Sequence, residues 1–215
     1  MTGVQTCALP ISKLAPYLEL AEKLGSFAGQ LTDTDIKAVS IEYEGQVGTL
    51  NIKPLSQVAL MGVLRPQLAS VNMVNAPILA RERGVDVAEV KHDRDSDYQT
   101  QITITVTTER RTRSVSGTLF GGKHPRLVNI KGIEIEAEFA PRMLYITNDD
   151  KPGFIGRLGA LLGDAGVNIA TFHLGRDKPG GEAIALVAVD QKLDAALVER
   201  IGGLAGVTQA KGLAF

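Results

Sequence analysis

Along residues 14–31 the apolar side chains return every three or four positions, at Leu14, Tyr17, Leu18, Ala21, Leu24, Ala28 and Leu31. That period predicts an amphipathic helix, one that needs a surface to cover. Asp33 and Asp35 break it, and residues 36–44 (IKAVSIEYE) then alternate apolar and polar as a half-buried strand does. A helix with small residues on one side is expected over 55–68, and a shorter one over 75–83. Gly84 closes the second, because glycine takes the left-handed cap at little steric cost. Strands are expected over 85–91, 101–107 (QITITVT) and 114–119, the last running into Gly121 and Gly122. Two more, 127–130 and 133–139, hinge at Gly132. Residues 13–141 therefore read as a first α+β domain.

Residues 142–215 have a different order. A strand over 143–148 and a break at Pro152 and Gly153 lead to a helix over 154–165 with Ile155, Leu158, Leu161 and Leu162 on one stripe. Gly166 caps it. A strand over 168–175, a turn at 178–181 (KPGG), a strand over 183–189, a helix over 193–201 and a strand over 207–213 complete the chain. The order β-α-β-β-α-β is the split βαβ layout of ferredoxin-like folds. Two helices on one face of such a sheet leave the other face and an edge to be covered. Pairing with a second copy is a common solution, so a homo-oligomer is expected.

The chain has 215 residues, enough for one large domain or two small ones. With 44% hydrophobic and 22% charged residues and a net charge of −1, it has no basic stripe, and nucleic acid is not an expected partner. No apolar run approaches the roughly 18–20 residues of a membrane span. A lone cysteine, Cys7, cannot close an internal disulfide, which agrees with a reducing, cytoplasmic setting. Its surroundings, residues 1–12 (MTGVQTCALPIS), are too short for a signal peptide and lack its basic start. They share no period with residues 14–31 and resemble a translated sequencing adaptor more than native sequence. They are set aside as a non-native or disordered start, and the natural chain is expected to continue upstream of Lys13.

His92, His124 and His173 show no metal-ligand spacing, so no metal site is expected. Asp93, Arg94, Asp95 and Asp97 form a mixed charge run, most simply an exposed loop. No Ser–His–Asp grouping can be argued, and no G-x-G-x-x-G follows a strand.

Residues 145–156 (YITNDDKPGFIG), followed by Gly166-Val-Asn-Ile169, resemble the ACT domain signature: a strand ending in a polar loop, Pro-Gly opening a helix, and a Gly-Val-Asn-Ile step into the next strand. Such a loop suits a small zwitterion. The helix N-terminus offers free amides to a carboxylate, and acidic or amide side chains can hold the ammonium. Upstream, the stretches PYLELAEKLGSFAGQL, VNAPILARERGV and VSGTLFGGKHPRLVNI resemble the linker helix and intervening domain of long-form D-3-phosphoglycerate dehydrogenase. The two resemblances come in that family's order and together cover nearly everything from Lys13 to Phe215.

The resemblance implies a regulatory C-terminal part of an enzyme that oxidises 3-phosphoglycerate with NAD, the first committed step of serine synthesis, with L-serine as feedback effector in many members. It implies no cofactor and no catalytic residue in this chain, NAD belonging to the parent's other half. It also implies oligomerisation through the ACT and intervening domains. Matched by position, the effector contacts are Asn148, in a slot often filled by His or Tyr, Asp150, in one held by Asn or Asp, and Asn168. Asn and Asp before a helix are also ordinary caps. Lys123, His124 and Arg126 form a cationic cluster where some members hold an anionic effector, a solvated turn being the plainer reading. Glu138 stands where some members have another basic residue. The β chain of iron–sulfur L-serine dehydratase shares this layout, but its Ser-Ser-Ser-His-Thr stretch does not occur here. A free-standing ACT amino-acid sensor is the third reading.

Overall fold

The stripe that begins at Leu14 forms helix α1 (Ile11–Gln30), which with the adjoining Leu31 buries Leu20, Leu24 and Phe27. A computed structural model describes residues 11–93 and 97–215. Ile11 and Ser12, set aside with the chain's start, belong to this helix. Residues 1–10, with Cys7, and Arg94 and Asp95 of the charge run lie outside the described residues.

Helix α1 covers a six-stranded sheet made of β1 (Ile36–Gly45), β2 (Asp86–His92), β3 (Thr100–Thr108), β4 (Thr112–Phe120), β5 (His124–Ile130) and β6 (Ile133–Glu138), in the order β2-β1-β3-β4-β5-β6. Period-2 alternation puts Val39, Ile41 and Tyr43 of β1, with Ile102, Ile104 and Val106 of β3, on the buried face. Glu42, Thr103 and Ser116 fall on the other. Only β1 and β2 run parallel among the described pairs. They are joined by a 3-10 turn (Gln46–Thr49), α2 (Lys53–Leu64) and α3 (Ala76–Glu82). Helix α2 ends earlier than its apolar pattern: Arg65 is still helical and donates to the Met61 carbonyl, but Pro66 has no amide to continue the ladder, and the chain goes on in tighter turns. The hinge read at Gly132 is a two-residue turn, with Lys131 at φ 57° and Gly132 at φ 84°, the positive pair that suits the twist of a hairpin.

Helices α1 and α2 touch backbone to backbone. A Cβ on Gly25 would stand 2.1 Å from the Ala59 carbonyl oxygen, and one on Gly62 would stand 2.7 Å from the Ser26 amide. The small residues that mark both helices are thus a crossing point, close enough that nothing larger than hydrogen fits.

The second sheet has β7 (Arg142–Asp149), β8 (Ile169–Arg176), β9 (Glu182–Val189) and β10 (Val207–Ala214) in the order β10-β7-β9-β8, all neighbours antiparallel. Helices α4 (Phe154–Asp164) and α5 (Ala195–Gly202) bury Leu158, Leu162, Leu197 and Ile201 against Leu144, Ile146, Ala185 and Val187. Helix α5 starts two residues later than its pattern because the Asp194 carboxylate caps it, accepting from the Leu197 amide at 2.6 Å. The fold is α+β, as expected.

The sheet's second face, which the strand order left to be covered, packs within the same chain. Met143, Tyr145, Ile184, Leu186 and Leu213 join the core of the first sheet. The Gln30 amide clasps Ala214 in both directions at 2.9 Å, and Arg113 donates to Gln209 at 2.7 Å. At β8, a Cβ on Gly175 would meet the Glu134 carbonyl oxygen at 2.4 Å, so β6 and β8 lie in direct contact.

Candidate functional site

Apolar residues fill β7 as far as Ile146, and Asn148, Asp149 and Asp150 then carry the chain out of the sheet. Pro152 and Gly153 turn it into α4. Gly153 sits at φ 87°, a conformation that glycine reaches without the steric cost a side chain brings. No side chain caps this helix, so the first-turn amides of Phe154, Ile155 and Gly156 are left without helical partners. A hollow of about 370 Å³ opens there, walled by Asn148, Asp150, Phe154, Leu174 and Arg176.

Asn148 is only 2% exposed. Its Nδ2 donates to the Asp149 carbonyl at 2.8 Å, while its Oδ1 is buried without a partner. A buried acceptor left unmatched is costly, and few native ones lack a reason. Asp150 is half-buried and accepts from Arg176 Nη1 at 2.8 Å and from the Gly180 amide at 3.0 Å. The Arg176 hydrogen bond, seconded by the Gly180 amide, holds the Asp150 carboxyl below its usual range. Arg176 carries no signal of its own in the sequence. It reaches the site only because β8 ends level with β7 across β9, with Arg176 and Asn148 each opposite Ala183 of that strand between them.

Asn168 is elsewhere. It is exposed, its Nδ2 donates to Asp190 at 2.6 Å, and its amide donates to Gln191 at 2.7 Å. It precedes β8 and Arg176 ends it, so the two lie roughly 25 Å apart at the usual strand rise. Within one chain the fold brings Asn148 and Asp150 together and leaves Asn168 at the far end of the sheet.

Lys123 and His124 are exposed on the β4–β5 hairpin. Arg126 is half-buried, paired with Glu138 and laid over the Phe120 ring at 5.3 Å. Its charge is thus met by Glu138, while the side chains of Lys123 and His124 stand open to solvent.

The histidines, scattered in sequence, are not all isolated in space. His92 Nε2 lies 2.7 Å from Glu42, 50 residues away in sequence, and the ligand atoms of Glu42, Glu44 and His92 lie within 4.8 Å of one another. Two carboxylates and an imidazole on adjacent strands are a set that can bind a divalent cation. Parallel pairing of β1 with β2 makes it, and no sequence spacing could have shown it.

The loop after β1, in the one parallel pair among the described residues, reads Gly45-Gln-Val-Gly48 and enters a 3-10 turn, without the glycine pattern that lets a pyrophosphate approach a helix N-terminus.

Comparison with known proteins agrees with this architecture. The family model for the D-3-phosphoglycerate dehydrogenase intervening domain matches residues 13–131, and that for the ACT domain matches residues 142–206. Among curated proteins, the chain is similar to D-3-phosphoglycerate dehydrogenase of Bacillus subtilis (34% identical over 93% of this chain and 38% of the relative). It is similar to those of Methanocaldococcus jannaschii (34%, over 89% and 36%) and Synechocystis (35%, over 93% and 36%). The chain thus spans little more than a third of the length of these relatives. It belongs to the D-3-phosphoglycerate dehydrogenase intervening-domain family, with an ACT domain following in the same chain.

Proposed function

We propose that this chain is the regulatory part of a cytoplasmic D-3-phosphoglycerate dehydrogenase and that its ACT domain takes L-serine, or a similar small amino acid, as allosteric effector. The relatives carry that enzyme name over a length about two and a half times greater, and the loop after β1 lacks the glycine pattern of a dinucleotide turn. Oxidation of 3-phosphoglycerate with NAD is accordingly the work of the parent's other part.

One observation carries the effector reading: the buried, unpartnered Oδ1 of Asn148 at the uncapped start of α4. An amino acid in the adjoining hollow offers an ammonium to Asn148 Oδ1 and Asp150, and a carboxylate to the amides of Phe154, Ile155 and Gly156. Asn168 enters only from a second copy, since its own chain holds it at the far end of the sheet. The reading therefore includes ACT domains paired so that the Asn148–Asp150 loop of one faces the Gly166–Asn168 step of the other.

Calorimetric titration with L-serine, and with a panel of other amino acids, tests it. Serine has few atoms, which leaves room for a dissociation constant of roughly micromolar to millimolar. Asn148→Ala is expected to weaken binding by roughly tenfold or more with the protein still folded. Asn168→Ala weakens it too if the site is shared. Failure of every amino acid to bind the parent chain retires the reading, and unchanged affinity in Asn168→Ala retires the shared site.

A further inference from the structure

Strand β2 (Asp86–His92) is the outer strand of the first sheet, and its side chains from Asp86 to Lys91 are all exposed. Among the described residues its backbone bonds go to β1 and to no other segment, leaving alternate amides and carbonyls on the outer edge unmatched. Apolar surface gathers at this same edge. Val87 is 41% and Val90 37% exposed, and on the neighbouring α3 segment Ile78 is 58% exposed. Beside the strand lies a hollow of about 340 Å³ floored by Leu60, Pro77 and Val85. An open edge with apolar residues on both sides is a template for another strand.

We infer that β2 pairs antiparallel with β2 of a second copy, about a two-fold axis through Val90, making one continuous sheet across two chains. The charges select this occupant and this register. Antiparallel pairing about Val90 sets the two Val90 side chains together and puts Glu89 of each chain opposite Lys91 of the other. Moving the axis by one residue either way puts Glu89 opposite Glu89 or Lys91 opposite Lys91, which repels. Neither Glu89 nor Lys91 has an ion-pair partner among the described residues; Lys91 Nζ donates only to the Leu50 carbonyl, at 3.2 Å. Both are free to pair across the axis. The inference does not depend on the effector reading, since β2 and the α4 hollow lie on different sheets.

A cysteine at the axis tests the pairing without relying on total oligomer mass, which an ACT–ACT contact would also raise. In a Cys7→Ser background, Val90→Cys should form a disulfide-linked dimer under mild oxidation, because directly opposed Cβ atoms lie about 4.5–5.5 Å apart, close to bonding reach. Val87→Cys, which stands opposite Asp93 in this register, should not. In uncross-linked protein, Lys91→Glu should weaken self-association by roughly tenfold, and the swap Glu89→Lys with Lys91→Glu should restore it. Equal cross-linking at both positions, no cross-linking at Val90, or failure of the swap to rescue would overturn the inference. Both charged positions are exposed, so the swap keeps the test valid even if the cysteine variant misfolds.

Discussion

The ring of Tyr145, in the opening strand of the ACT sheet, meets that of Phe27, on α1 of the first region, edge-on with centroids 5.9 Å apart. Both residues are fully buried, and Phe215 stacks on Phe27 with centroids 6.5 Å apart. The two sheets therefore share a core and should unfold together. Phe27→Ala is expected to cost about 3–5 kcal/mol by removing a buried aromatic ring. Urea unfolding followed separately by near-ultraviolet and far-ultraviolet dichroism should give coincident curves for the parent chain. Two separated transitions would show that the shared core does not couple the sheets.

The α1–α2 crossing makes a second prediction, with a built-in control. Gly25→Ala pushes a methyl into the Ala59 carbonyl and should destabilise by about 1–3 kcal/mol. Gly159→Ala, in α4 with nothing within 4 Å of the added methyl, should stabilise by about 0.5–1 kcal/mol, because alanine loses less backbone freedom. Opposite shifts in melting temperature are the expected result.

Asp150 sets a pH dependence. Its folded carboxyl titrates below the ordinary value, so the ionised form favours the folded state. That contribution is present in full above the ordinary carboxyl range, near 4, and is lost as pH falls through the folded value. Arg176→Ala should move the Asp150 titration back up, as read by carbon-13 shifts of its carboxyl. An unmoved titration would mean that Arg176 does not hold the carboxylate in solution.

The cationic hairpin gives a fourth. Glu138 occupies the guanidinium of Arg126, so inorganic phosphate should bind the parent chain poorly. Glu138→Gln frees that charge beside Lys123 and His124, and phosphate affinity should rise several-fold, by calorimetry at low salt. No gain would show that the three side chains do not converge on an anion.

Local pattern was enough for most of the architecture. Alternation in β3 and the α1 stripe through Ala21, Leu24, Ala28 and Leu31 depend on neighbours in sequence, and so did the β-α-β-β-α-β order of the second sheet, whereas Leu20 and Phe27, buried beside that stripe, are not among the positions that marked it. The Asn148–Asp150 loop and the Pro152–Gly153 break could likewise be located from residue types, since turns and helix starts are local chemistry. Long-range pairing was another matter. Which side chain meets Asp150, which residues complete a cluster with His92, and what covers Tyr145 all depend on segments far apart in the chain. Sequence spacing carries no signal for them. The ACT sheet's pattern left a bare face for a second copy to cover, and only the fold showed α1 and β6 already packed there. Likewise Asn168 and Asp150 belong to one signature but stand at opposite ends of the sheet, because the extended length of β8 separates Asn168 from Arg176, the residue that holds Asp150.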